Sequence, residues 1–544
     1  MSRKLKEKTD LLLSKEKGTV YKDPGGKISV ALVYPNTYHV GMSNLGVQGI
    51  YGLLNSRTDI VCERAFLPDE HDMNEYIRTR TELFSLETKK PLNRFDIVAF
   101  SVSFENDYPN IVRILNLSKI PLHYNERNAN HPLLIMGGAC AFFNPEPVAE
   151  LFDLCFIGDA EETLMEFLDI FGTTHDRDML LKKSFGIDGV YAPRFYTVYY
   201  DSTNQIVRRE ASHGAPLKVK RRYISTLSQK GVTSSIITSE TEFSHMYLIE
   251  AMRGCPWNCR FCITSRMYAP LRKKPLDVIR HEIQNAKTKT AKIGLVGPSL
   301  SDYPEIQQIL TIPGVDFSIT SLRAGSKSSA LTAFLRDHRS VSIAPEAGTE
   351  RLRNVIHKQI TEHDILETSK NIIAQGIDTL RLYFMVGLPS ETDEDIEGII
   401  RLARKVRDSL GRGNITLSVS TFVPKPFTPF QWHAMEDPSV VKKRLRRLQK
   451  DLSSVHGIRV FHDIPKYAYM QGLFSLGDRR IRMALEKMLT VEDWQKAALQ
   501  AGINKDFYIF RHKSLDEVLP WDFIDMDIPK EKLWEEYQEA RSFS

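Results

Sequence analysis

Three cysteines, Cys255, Cys259 and Cys262, stand in a C-x3-C-x2-C spacing on one short stretch that also holds Gly254 and Pro256. Thiolates this close along a chain can take three irons of a [4Fe–4S] cluster and leave the fourth iron open to another molecule. Gly254 and Pro256 suit the tight bend that makes the sulfurs converge. A closed structural zinc site wants four ligands, often as two C-x2-C-like pairs, and the chain has no second pair. A disulfide framework does not suit an odd cluster of three in a chain without a secretory signal. Cys62, Cys140 and Cys155 are scattered and read as small apolar packing residues.

The elements that must position these cysteines can be read from the rest of the chain. Its 544 residues suffice for about three domains. With 42% apolar and 26% charged residues and no long uninterrupted apolar run, it reads as a globular protein without a membrane span. The first ten residues are charged and lack an apolar core, so they are not a secretory signal. With six cysteines this suggests a reducing, cytoplasmic setting. A net charge of +5 neither demands nor excludes nucleic acid.

An α/β architecture in five segments is expected. Residues 1–26 form a charged lead-in. In 27–188, apolar strands at 27–33, 96–102, 133–136 and 154–157 alternate with helical stretches, which implies a doubly wound, Rossmann-like parallel sheet. Ligands of such sheets sit outside the carboxyl ends of the strands. Those ends hold Tyr38 and Gly41, Ser101 and Ser103, Gly137 and Gly138, and Gly158 and Asp159. Residues 189–242 read as a hairpin and a connection. In 243–436, candidate strands at 246–251, 292–296, 316–321, 341–344, 379–386 and 415–421 make six βα units, a partial (βα)6 barrel with its chemistry at the carboxyl ends. The cysteines follow the first of these strands. Pro275 suits a first helical turn, and Thr392 with Asp395 resembles a capping box. Residues 437–544 read as mainly helical. There Val441, Leu445, Leu448, Leu452 and Val455 form one apolar stripe. The basic face opposite it reads as solvated surface in preference to a nucleic-acid contact.

The cysteine motif resembles that of the radical S-adenosylmethionine superfamily, and a six-unit barrel matches its fold. The wider organisation is similar to the branch with an N-terminal cobalamin-binding domain. The stretches 345–348, 383–391 and 422–432 resemble a poorly characterised subgroup of it. The resemblance implies that the open iron is chelated by the amino and carboxylate groups of S-adenosylmethionine. One electron, from a donor such as flavodoxin or ferredoxin, would break the sulfonium C–S bond and give methionine and a 5′-deoxyadenosyl radical. It also implies that Glu346 meets the ribose hydroxyls and Lys358 the methionine carboxylate, with Arg323 a comparable candidate. Gly387 would let backbone approach the adenine. The plainer alternatives are a surface role for Lys358 and a helix cap for Glu391.

Many cobalamin domains carry D-x-H-x-x-G, whose His ligates cobalt. Here the aligned residues are Asn36, Tyr38 and Gly41, and His39 is one position out of register. A protonated phenol with pKa near 10 is a poor metal ligand where imidazole is a good one. The resemblance therefore implies cobalamin without a protein imidazole on cobalt, lying over Tyr38, Gly41, Ser101, Ser103, Gly137 and Gly138. A vestigial domain that binds nothing is the alternative. The expected reaction is methyl transfer to an unactivated carbon. Its rivals are a radical rearrangement, cyclisation or oxidation, a tRNA methylthiotransferase-like activity, and a cobalamin-binding sensor or scaffold without turnover. No residue past 437 names a substrate.

Overall fold

Near-continuous apolar runs, covered by helices on both faces, build the first sheet. The computed structural model describes residues 2–174, 176–228, 231–319, 321–329, 331–334 and 339–543. Its first sheet comprises β1 (Ile28–Tyr34), β2 (Ile60–Phe66), β3 (Ile97–Ser101), β4 (Leu133–Gly137), β5 (Leu154–Phe156) and β6 (Val190–Tyr191). The order is β2-β1-β3-β4-β5-β6, parallel except for β6 at the edge. This is the doubly wound fold expected, with one strand, β2, that no apolar run announces. Its Glu63 and Arg64 are buried. Arg64 is 0% exposed and lies 2.7 Å from both Glu16 and Glu87. Such charges tolerate burial only when paired and hydrogen-bonded. Glu16 follows the helix Arg3–Ser14, so the charged lead-in is bonded into the first module.

A hairpin of β7 (Tyr196–Tyr200) and β8 (Ile206–Ala211) follows, then β9 (Val219–Lys220). The barrel begins with β10 (Tyr247–Glu250), and β11 (Met252–Arg253) and β12 (Arg272–Lys273) form a small antiparallel pair. Then come β13 (Lys292–Val296), β14 (Asp316–Ser318), β15 (Ser321–Leu322), β16 (Ser340–Glu346), β17 (Thr379–Val386), β18 (Asn414–Thr421) and β19 (Ile458–His462). They pair in parallel as β10-β13-β14 and β15-β16-β17-β18-β19. Of the expected strand at 316–321, Thr320 lies outside the described residues. Along β17, Leu380, Leu382, Phe384 and Val386 pack into the core beneath the helices. Arg381, Tyr383 and Met385 therefore face the barrel lumen.

The parallel sheet runs on past residue 436. The helix Pro438–Ser453 sinks Val441, Leu445, Leu448 and Leu452 into the barrel core, and β19 pairs with β18. The apolar stripe thus covers the barrel. Beyond it the chain is mainly helical, with β20 (Ile524–Asp525) pairing with β9. Tyr469, Phe474, Trp521 and Tyr537 from this last segment share one apolar core with the first sheet, while most barrel strands and helices form a second core. Among the described residues no helix is long and apolar enough to cross a membrane.

Candidate active site

The cysteine loop hangs between β11 and β12, whose pairing of Arg253 with Arg272 closes its base. Gly254 starts it with φ +90°, and a Cβ there would lie 2.7 Å from the Tyr268 carbonyl oxygen, so only glycine fits. Arg253 pairs with Glu250 at 2.8 Å, Asp159 at 2.9 Å and Glu161 at 2.7 Å. Arg272 pairs with the other oxygen of Asp159. Asp159 and Glu161 follow β5, so the end of that strand holds both sides of the loop. Further along, Arg260 donates to the Val355 carbonyl at 2.9 Å and pairs with Glu539 at 2.7 Å. Trp257 donates its indole N–H to Asp302 at 2.6 Å, and the Arg323 guanidinium lies 3.7 Å from the Trp257 ring centre. These contacts hold the loop from both sides without a metal.

Cys259 is buried, and Cys255 and Cys262 are half-buried. Burial pushes the Cys255 and Cys259 thiols up, while the nearby Lys358 ammonium pulls Cys259 down. Positive charge from iron would complete the shift to thiolate. Among the described residues no three His, Cys, Asp or Glu side chains converge on one ion. A cluster asks instead for one iron per thiolate.

Three of the barrel candidates gather beside Cys259. Glu346 ends β16 with φ +67°, a left-handed conformation rare for a residue with a Cβ and found at strained functional positions. Lys358 is 8% exposed and its Nζ lies 3.0 Å from Glu346 Oε1. The Arg323 guanidinium donates to the Lys358 carbonyl at 2.5 Å, so Arg323 braces the Lys358 backbone and the Trp257 ring. Gly387 stands apart in a different role. It has φ +82°, its N–H donates to Glu391 at 2.7 Å, and a Cβ would come 3.2 Å from Glu436. The turn and the Glu436 contact account for that glycine. Glu391 does not cap the following helix; Thr392 and Asp395 do, as a capping box. The Glu391 carboxylate receives Gly387 N–H and Arg444 Nη1, the latter at 2.8 Å.

In the first module the candidates divide. Tyr38 is buried and its hydroxyl donates to Glu16 at 2.5 Å, while its ring packs edge-on against Phe66 with centroids 5.3 Å apart. A Cβ on Gly41 would strike the Phe66 ring at 2.4 Å. Internal packing accounts for both residues. Ser101, Ser103, Gly137 and Gly138 keep partial exposure at the carboxyl ends of β3 and β4, and a Cβ on Gly137 would meet open space. Nearby, Asn36 donates to Asp107 at 2.8 Å, and burial raises the Asp107 carboxyl to about 6. This edge faces the cysteine loop through the Asp159 pairs and through Phe142 and Tyr268, whose ring centroids are 5.8 Å apart. Cys62, Cys140 and Cys155 are wholly buried, and burial pushes each thiol up.

Sequence reading placed Asp159 at a strand end without linking it to the cysteine loop, and it missed Trp257, Glu161 and Asp302. Only Trp257, set between two of the cysteines, could have been flagged from its position.

A model of the radical SAM superfamily matches residues 249–403, and one for the N-terminal part of radical SAM proteins matches 46–193. The chain belongs to the radical SAM superfamily. Membership carries a [4Fe–4S] cluster and S-adenosylmethionine with it, and the three cysteines fit that cluster. An uncharacterized protein of Methanocaldococcus jannaschii is 30% identical over 467 residues, 84% of this chain and 90% of its own. The tRNA-2-methylthio-N(6)-dimethylallyladenosine synthase of Aeromonas hydrophila is 24% identical over 37% of this chain, a stretch covering 45% of that enzyme. Among solved structures, the cobalamin-dependent radical enzyme OxsB with aqua-cobalamin and S-adenosylmethionine bound aligns over 90% of this chain and 65% of its own. Its identity is 14% and the TM-score 0.48.

Proposed function

We propose that this radical SAM enzyme transfers a methyl group to an unactivated carbon, with cobalamin seated over the carboxyl ends of the first sheet. The observation that carries the reading is the facing of two strand-end surfaces. One holds the cysteine loop with Lys358 and Glu346; the other holds Ser101, Ser103, Gly137 and Gly138, and Asp159 ties them together. Cys255, Cys259 and Cys262 would hold the cluster, which would supply an open iron and the electron for cleavage of S-adenosylmethionine. Lys358 keeps two N–H donors beyond its bond to Glu346, enough to hold the methionine carboxylate. Glu346 offers acceptors for the ribose hydroxyls. Cobalamin would supply a cobalt able to carry a methyl group; Tyr38, at the usual ligand position, is a phenol whose hydroxyl is already bonded to Glu16. A small electron-transfer protein of the flavodoxin or ferredoxin kind would supply the electron, inside the cytoplasm.

Anaerobic reconstitution tests each layer. Replacing Cys255, Cys259 and Cys262 by Ala together should remove nearly all bound iron and sulfide; a full cluster in that variant would refute the ligand assignment. The reduced enzyme with S-adenosylmethionine should release 5′-deoxyadenosine, and its persistent absence from cluster-loaded protein would refute the cleavage. Cobalt(II) paramagnetic resonance of cobalamin-loaded protein should lack axial nitrogen splitting. No cobalamin uptake at all would transfer the reading to a rearrangement or oxidation without cobalt.

A further inference from the structure

The lumen faces of β17, β18 and β19 carry a repeated pattern. Strand pairing sets Arg381 beside Thr416 and Thr416 beside Arg459. One layer nearer the cysteine end it sets Tyr383 beside Ser418 and Ser418 beside Phe461. Each row is large, small, large. Neighbouring strands lie about 4.8 Å apart, so the outer side chains of a row stand about 10 Å apart across a small hydroxyl residue. A gap of that width admits one planar ring with stacking contact on both sides. The rows are two residues apart along the strands, about 7 Å.

Exposure and charge suit a binding surface. Tyr383 is 39% and Phe461 58% exposed, though both lie on a barrel's inner wall. Arg381 and Arg459 are exposed, and among the described residues neither has an ion pair or a side-chain hydrogen bond. The lumen faces of β16 to β19 carry no acidic side chain below Glu346. Two uncompensated guanidinium groups on either side of a threonine hydroxyl form an anion site.

We propose that the substrate is an aromatic anion, its ring held between Tyr383 and Phe461 and its phosphate or carboxylate between Arg381 and Arg459. This rests on the radical reading above and names the substrate class for it. Val386, where β17 ends, lies five residues above Arg381, about 17 Å along the strand. The carbon that reacts therefore belongs to a part of the substrate beyond the ring, nearer the cysteines.

The test uses cluster-loaded enzyme with S-adenosylmethionine saturating. Two ring-plus-anion probes, 1-naphthyl phosphate and adenosine monophosphate, are titrated calorimetrically against their halves, 1-naphthol, adenosine and inorganic phosphate. At least one probe should bind tenfold or more tighter than either of its halves. Arg381→Gln and Arg459→Gln should each weaken it about tenfold, and Phe461→Leu should remove the advantage over phosphate alone. Preference for one probe separates a carbocyclic ring from a nucleobase. Equal binding of probes and halves, or Arg381→Gln and Arg459→Gln variants that bind as wild type does, would overturn the proposal. S-adenosylmethionine affinity is read in the same samples. Failure of the radical reading would appear there, and failure of the substrate class only in the probe titrations.

Discussion

Replacing Asp159 with Asn should destabilise the protein by about 3–5 kcal/mol, the range for removing one partner from a buried ion pair. Asp159 is buried, and its two oxygens face Arg253 and Arg272. The substitution keeps the volume and the Ile224 N–H can still be accepted, but both buried guanidinium groups lose their shared counter-charge. Arg253 keeps Glu250 and Glu161, so Arg272 is the more exposed to the loss. A chain of 544 residues melting as one unit has an unfolding entropy of about 1.1 kcal/mol/K, so the midpoint should fall by roughly 3–4 °C. The effect should concentrate at the loop, where iron per chain after reconstitution should drop and bound iron should leave faster to a chelator. Thermal melting with and without cluster, plus timed iron release, reads both. A variant that melts within 1 °C of wild type and holds iron equally long would refute the idea that the end of β5 fixes the cysteine loop.

Two further outcomes follow from the first module. Tyr38→Phe removes a hydrogen bond to a carboxylate, so it should lower stability by about 1.5–3 kcal/mol in thermal melts while leaving any cobalt(II) spectrum unchanged; a changed spectrum would return Tyr38 to the ligand position. Asp107 holds its proton to about pH 6 in the folded state, against a usual value of 3.8. Its stabilising share is complete below pH 4 and is lost as pH rises from 4 to 6. That leaves a deficit of up to about 3 kcal/mol at pH 8. Asp107→Asn should match wild type near pH 4 and melt about 2–3 °C higher at pH 8, and an equal gap at both pH values would refute the assignment.

Much of the architecture was legible because its signals are local. The cysteine spacing needs no partner elsewhere, and β1, β3, β4 and β17 announce themselves as apolar runs or strict alternation. What stayed hidden depends on residues far apart in sequence. In strand β2, Glu63 and Arg64 interrupt the apolar residues, and Arg64 can be buried only because Glu16 and Glu87, one on each side of it along the chain, neutralise it. Tyr38 aligns with a ligand position, yet its hydroxyl goes to a carboxylate from the lead-in. Gly387 fits a ligand-approach role by position, but its turn is set by Glu391 and its neighbour Glu436. Strand β19 is short, with exposed residues alternating along it, and only its pairing to β18 declares it part of the barrel.

Because the two ends of the chain complete one apolar core, the order of synthesis and the order of folding differ. The first module leaves the ribosome with part of its surface bare until the final helices emerge, some 300 residues later. At 5–20 residues per second that is a wait of roughly 15–60 s. The barrel, with its separate core, can close meanwhile. Its cysteine loop is by then held by Asp159 and Glu161, but Arg260 and Arg266 still await Glu539 and Glu536 from the last helix. That side of the loop stays open for the same interval, until the helix carrying Glu536 and Glu539 docks.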